Sequence, residues 1–296
     1  MSIAVTTIDN KVRRVVSNIR NLPTPPIVFH QIHKVIHDPK VSAGHISAIL
    51  AEDPAMSVKV LKLTNSAFYG LAREVDSVKQ AVVIVGLEAI KNLVLSASVL
   101  DMFKGKDIER EYQEGFWRHS LATASCCRLL VRRLRTRGFV DPDAAFSAGL
   151  LHDIGKLVIT SFLPEERSLL QQARRSQPKA LDYVLEETTL GYTHAQIGGF
   201  LAVQWKLPQR LADAITYHHY PQLNDSEDAL VYFVHVADFV AKRTFYDEDE
   251  TYLIGALQPG VCEYLCVTED ELSGLAEDLR AEYLHAKTFM ELAGIS

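Results

Sequence analysis

Nowhere in its 296 residues does the chain alternate apolar and polar side chains for more than about five positions, so no segment carries the two-residue period of a half-buried strand. It carries a series of helix starts instead. Proline follows aspartate at Asp53-Pro54 and Asp141-Pro142, which sets a capping carboxylate before a ring already fixed near helical φ. Ser77 with Gln80, Thr193 with Gln196 and Thr268 with Glu271 have the spacing of capping boxes, in which two side chains satisfy each other's backbone N–H groups. Helices are therefore predicted over 5–20, from Pro26 to the stop at Asp38-Pro39, from Pro54, and on either side of Gly86. Others follow from Phe116 to Gly138, from Pro142, from Thr193, from Pro208 and over 230–242, with a long amphipathic segment after Thr268. Residues 87–100 are nearly continuous in Leu, Ile, Val, Ala and Ser, the composition of a helix buried between neighbours. The predicted fold class is all-α, without internal repeats.

The polar run DMFKGKDIEREYQEG (101–115) is the natural place for a boundary. It divides the chain into an opening helix (1–20), an N-terminal helical unit (21–110), a second helical unit (111–245) and a C-terminal extension (246–296). Lys and Arg number 31 against 37 Asp and Glu, a net charge of −6, and this overall field does not favour coating nucleic acid. Cys126, Cys127, Cys262 and Cys266 have no C-x-x-C spacing and read as small buried thiols in a reducing compartment. The first ten residues lack the build of a secretion signal. The longest apolar run, Ala81 to Leu87, is far short of a bilayer span. A cytoplasmic protein without membrane contact is expected.

Seven residues carry the chemistry: His119, His152, Asp153, His194, His218, His219 and Asp238. Imidazole and carboxylate suit Fe, Mn, Ni and Zn, and no cysteine lies near them to make a thiolate zinc knot. His119, the His152-Asp153 pair and Asp238 are enough for one ion, and His194, His218 and His219 for a second. Asp153, with two oxygens, is the natural bridge. Two ions so placed would acidify a shared water and polarise a phosphoryl oxygen, the two-metal route to phosphoester hydrolysis. Neighbouring residues on a helix diverge by about 100°, so His152 and Asp153 share a cavity only at a helix end or kink, which Gly155 is expected to supply. Lys156, one turn beyond His152, can meet a phosphate or pair with a carboxylate.

Other features have plainer readings. His30, His33 and His37 share a helix face opposite Val28, Ile32, Val35 and Ile36, which makes that face exposed or a contact between units. Arg128, Arg132, Arg133, Arg135 and Arg137 can grip phosphates, but a solvated, dipole-favoured helix end explains them more simply. No aromatics interleave with them to stack bases, so nucleic acid is not an expected partner. In Asn65-Ser66-Ala67-Phe68-Tyr69-Gly70 the polar residues and glycine make a helix exit, and the rings can plug the core and pin the two units together.

The segments "LPTPP", "ILAEDPAMSVKVLKLTNSAFYG" and "SVKQAVVIVGLEAIKNLVL", with "FWRHS", "AFSAGLLHDIGKLVI", "GYTHAQIGGFLAVQWKLP" and "AITYHH", resemble the HDOD family. These are HD-related output domains of bacterial signalling proteins, and the likeness extends over about residues 20–245. It implies an HD-like helical bundle with an N-terminal helical subdomain, and it maps the superfamily's metal set onto His119, His152, Asp153 and Asp238. The related HD-GYP branch, which hydrolyses cyclic di-GMP, has three further histidine ligands, matched by His194, His218 and His219. The chain departs from that branch after His219, where "YPQLND" replaces an acidic residue and the Gly-Tyr-Pro motif, and at Ser161, where the branch has aspartate. The resemblance therefore implies a regulatory output with a signalling-protein partner, one or two divalent ions and a phosphate-containing ligand such as a nucleotide. The alternatives are a metal-dependent phosphohydrolase of nucleotides or cyclic nucleotides, with Asp153 and Lys156 as catalytic residues, and a nucleic-acid-associated regulator. The C-terminal extension either caps the bundle or pairs two copies as a homodimer.

Overall fold

The computed structural model describes residues 2–19, 22, 24–36, 38–103, 108–134, 140–246 and 254–292. Among them every regular element is helical. The first six are α1 (Ser2–Ser17), α2 (Ile27–Val35), α3 (Ala43–Ala51), α4 (Pro54–Thr64), α5 (Val78–Val85) and α6 (Leu87–Met102). Then come α7 (Arg110–Arg133), α8 (Pro142–Leu151), α9 (Ile154–Phe162), α10 (Pro164–Ser176), α11 (Asp182–Leu190), α12 (His194–Gln204), α13 (Gln209–Tyr217) and α14 (Ala229–Tyr246). The extension adds α15 (Val261–Leu265), α16 (Glu269–Ser273), α17 (Ala276–Ala286) and α18 (Thr288–Leu292). No single helix among the described residues is long and apolar enough to cross a membrane.

The start signals act as their chemistry requires. Asp53 and Asp141 accept backbone N–H bonds ahead of Pro54 and Pro142, and the boxes at Thr193 and Thr268 close in both directions. At Ser77 only the forward bond, from Gln80 N–H, is made. Gly86 divides α5 from α6 at φ +92°, a conformation closed to most L residues. The opening helix starts and ends three residues earlier than predicted, because Asn18 and Ile19 N–H turn back to Val15 and Val16. The amphipathic tail is three short helices, not one. Buried Leu272, Leu275 and Leu279 lead it along α7 and α14.

The core is one continuous apolar cluster. Within it α6 is buried from Ala89 to Leu100 and lies against α2, α4 and α8. Around the second half, α7 packs on α8 and α14, while α12 packs on α9 and α13. Phe68 of the "NSAFYG" exit meets Phe146 of α8 at 4.7 Å and Phe289 of α18 at 5.3 Å, so one aromatic contact joins three parts of the chain. Gly70 takes φ +59° there.

Other expectations need correction. Arg128 is not solvated: it is buried, its Nε donates to Glu282 of α17 (2.6 Å), its Nη2 donates to Phe68 O (3.1 Å), and its guanidinium carbon lies 3.3 Å from the Phe68 ring centroid. Arg132 and Arg133 also face acids of α17, Glu282 and Asp278, while Arg135, Arg137 and Gly138 lie outside the described residues. Cys126 and Cys127 are buried thiols as read, but Cys262 is half-buried and Cys266 exposed, because the latter ends a five-residue helix at φ 55°. His30 and His33 are half-buried against Phe29, and His37 lies outside the described residues.

Candidate metal centre

A further correction concerns how His152 and Asp153 come to face one hollow. The bend falls on the pair itself, not on Gly155. Helix α8 ends at Leu151, α9 begins at Ile154, and Asp153 takes φ −96°, ψ 9°, in the bridge region between helix and strand. Gly155 has a different task. A Cβ built there would lie 1.9 Å from His194 O and 3.0 Å from Gly198 N, so glycine is what lets α9 touch the start of α12. That contact carries His194 to Asp153. His119 comes from the middle of α7, His218 and His219 from the end of α13, and Asp238 from α14.

All seven predicted residues converge, in two groups that share Asp153. Its Oδ2 lies 3.6 Å from His119 Nε2 and 3.5 Å from His152 Nε2, and these two nitrogens are 3.3 Å apart. Asp238 Oδ1 joins them at 3.0 Å from His119 and 3.6 Å from His152. Asp153 Oδ1 faces the other group, 2.9 Å from His194 Nε2 and 3.6 Å from His218 Nε2, with His219 Nε2 3.0 Å from His194 Nε2. Lys156 Nζ donates to Asp153 Oδ2 (2.8 Å) and lies 3.4 Å from Asp182; Lys242 Nζ donates to Asp238 (2.8 Å).

The outer hydrogen bonds decide which nitrogen points inward. His152 Nδ1 donates to Gly149 O (2.7 Å) and His218 Nδ1 to Ile215 O (2.8 Å). A carbonyl only accepts, so each Nδ1 carries a hydrogen and each Nε2 is the nitrogen turned into the hollow, where it can offer a lone pair. Those lone pairs face carboxylate oxygens, which also only accept. Asp153 Oδ1, Asp238 Oδ1 and His218 Nε2 are all buried without a well-directed hydrogen bond. Burial of unsatisfied acceptors is costly, and a proton or a bound cation between converging lone pairs relieves that cost. These clusters of buried imidazole and carboxylate can chelate a divalent metal.

The titration of the groups follows from the same surroundings. Burial pushes His218 down to about 4 and holds His119 and His219 below their ordinary range. Burial also acts to lower His194, but the Glu186 and Asp153 carboxylates outweigh it and raise that ring to about 9. For Asp153 and Asp238 burial acts upward, and Lys156 and Lys242, with the nearby imidazoles, more than reverse it, holding both carboxyls well below their usual range.

The hollow opens into a cavity of about 550 Å³, whose wall includes Arg118, Lys156, Arg174, Lys242, Tyr183 and Gln258. Sequence reasoning missed several of its parts. Glu186, buried on α11, accepts from both the backbone N–H (2.7 Å) and Nδ1 (2.6 Å) of His194. Nothing in "LEETTL" separates buried Glu186 from exposed Glu187. Lys242 was legible as the i+4 partner of Asp238. His235 is a satisfied structural histidine, donating to His218 O (2.7 Å) and accepting from Gln258 N–H (3.0 Å).

Comparison with known proteins agrees with this fold. A solved HDOD domain protein of unknown function from Geobacter sulfurreducens superposes with a TM-score of 0.77 at 24% identity, covering 96% of this chain and 99% of that one. A putative phosphohydrolase from Shewanella amazonensis SB2B gives 0.71 at 24% identity, covering 99% and 98%. A putative signal transduction protein from Marinobacter aquaeolei VT8 gives 0.72 at 20% identity, covering 99% of this chain and 65% of that one. At these identities the likeness is one of fold. An uncharacterized protein of Treponema pallidum (strain Nichols) is 29% identical over 214 residues, 69% of this chain, and the match spans only 39% of that protein's length. The HDOD domain itself matches residues 22–221, more than half of the chain. With the helical architecture and the His/Asp clusters in place, that match shows that the chain belongs to the HDOD domain family.

Proposed function

We propose that this chain is a signal-transduction output module whose two His/Asp groups hold one or two divalent ions and whose cavity takes a phosphate-containing ligand. One observation carries the reading: buried imidazole nitrogens and carboxylate oxygens from several helices point at one another, an arrangement that a bound cation makes favourable. His119, His152, Asp153 and Asp238 would hold one ion, and Asp153, His194, His218 and His219 the other. Ions so held supply Lewis acidity toward a phosphate oxygen. Arg118, Lys156, Arg174 and Lys242 line the cavity beside Glu109, Glu111, Asp153, Asp182 and Asp238, so bound divalent ions would tip a wall of mixed charge toward an anion. A partner signalling protein would read the state of the pocket. The missing Gly-Tyr-Pro loop after His219 supports a regulatory role over turnover.

A second reading, a metal-dependent phosphohydrolase of nucleotides, is favoured by one feature, the sharing of Asp153 between both groups. Descriptions of the superposing proteins include both kinds, signal transduction and phosphohydrolase.

The test is elemental analysis of protein purified without chelator, with anomalous diffraction at the Fe, Mn, Ni and Zn edges. Density between Asp153 and the histidines is expected. An empty hollow with no uptake on soaking refutes the metal reading. Sustained turnover of a nucleotide or cyclic dinucleotide, abolished in His152→Ala, would replace the regulatory reading by the hydrolytic one.

A further inference from the structure

We infer that Glu186 is the positioning residue of His194, and that docking of α11 is what builds the second half of the metal cluster. This rests on the metal reading above and deepens it. Helix α11 has only nine residues, yet it reaches three members of the cluster or its rim. Asp182 at its start lies 3.4 Å from Lys156 Nζ, and the Tyr183 ring stacks on His219 at 4.2 Å. Glu186, one turn on, binds His194 through a single oxygen, Oε2.

That oxygen performs two separate tasks. His194 is the first residue of α12, so its backbone N–H is one of the donors a helix start leaves without an internal partner. Thr193 Oγ1 serves Gln196 N–H, and the Gln196 side chain serves Thr193 N–H. Glu186 takes the N–H that this box leaves over, and its charge suits the helix N-terminus. A cap requires no more than that. The second bond, to Nδ1 at 2.6 Å, fixes the ring's orientation and directs Nε2 to within 2.9 Å of Asp153 Oδ1. Where His152 and His218 are oriented by backbone carbonyls of their own helices, three residues back, His194 is oriented by a carboxylate from another helix. Its ring nitrogen is thus the one set by tertiary packing and by a charge. An anionic acceptor also raises the basicity of the opposite nitrogen, as carboxylate–histidine–metal arrangements do.

The experiment compares the full-length wild type with Glu186→Gln, Glu186→Ala and Thr193→Val, using titration with Mn and Zn alone and NMR of the ring N–H protons. Thr193→Val weakens the same helix end without touching the imidazole, so it controls for loss of α12 itself. In Glu186→Gln the ion at Asp153, His194, His218 and His219 is expected to bind 10- to 100-fold less tightly, with the other within about 3-fold of wild type. Thr193→Val is expected to leave both near wild type. A downfield, slowly exchanging Nδ1–H resonance of His194 is expected in the wild type and absent from Glu186→Ala. The inference is overturned if Glu186→Gln keeps both affinities, or if Thr193→Val loses as much. Should the wild type bind no ion, the metal reading falls alone. The ring resonance then still decides the positioning, and its persistence without Glu186 refutes it.

Discussion

Replacing Gly155 by alanine tests whether the packing of α9 on α12 sets the cluster. The new Cβ would sit 1.9 Å from His194 O and 2.7 Å from its carbonyl carbon, against 3.4 Å or more for an ordinary contact. The obstacle is backbone, which has no rotamer to yield, so the two helices must part by roughly 1.5 Å at this point. Overpacking of this kind costs about 1–3 kcal/mol. Alanine's better helix propensity, worth up to about 1 kcal/mol, offsets part, leaving a net loss of about 1–2 kcal/mol. The effect on the site is larger in kind. Metal–ligand distances tolerate about ±0.2 Å, so a His194 that withdraws with its carbonyl leaves the Asp153 Oδ1 group. Urea denaturation and metal counting on one preparation give both numbers. Reduced stability with one ion lost is expected, the ion at His119, His152 and Asp238 being kept. Gly44→Ala is the control, since its Cβ would meet only Ser42 Oγ at 3.6 Å. Wild-type stability in Gly155→Ala, with both ions bound, refutes the reasoning.

Two further predictions concern the junction between the units. Arg128→Met leaves Glu282 and Phe68 O without their buried donor and removes the cation from the Phe68 ring. Breaking one side of a buried pair costs about 3–5 kcal/mol; the double variant with Glu282→Leu should recover much of this in denaturant melts, and a neutral Arg128→Met would contradict it. Asp143 is pushed up to about 6, chiefly by burial and next by Asp141. The folded state therefore holds this proton more tightly than the unfolded chain, and stability is lost as pH rises from about 4 to 6. Since the group is partly exposed, the loss is on the order of 1–2 kcal/mol. Asp143→Asn should flatten that stretch of the stability–pH curve, and an unchanged slope would count against it.

The helices were legible because their starts are local. A Thr193 and a Gln196 three apart determine a cap wherever the helix later packs. The seven metal-type residues were legible for another reason: imidazole and carboxylate have few uses in a buried setting, and the resemblance supplied their grouping. Contacts made by ordinary residues through tertiary packing were not legible. Arg128 has the same neighbours in sequence whether it points to water or to Phe68, and Glu186 is chemically identical to Glu187. Gly155 was noticed but misread, since a kink and a close approach call for the same residue and only the position of His194 O distinguishes them.

The match to the HDOD domain ends at residue 221, yet Asp238 and Lys242 arrive on α14, which also shelters the faces of α7 and α8. A polypeptide trimmed to that segment would keep six of the seven candidate ligands and lose the one 3.0 Å from His119. It would also bare apolar surface that α14 covers in the intact protein. Binding screens run on such a fragment would interrogate a half-walled vessel, and their silence would carry no information about what the whole one holds.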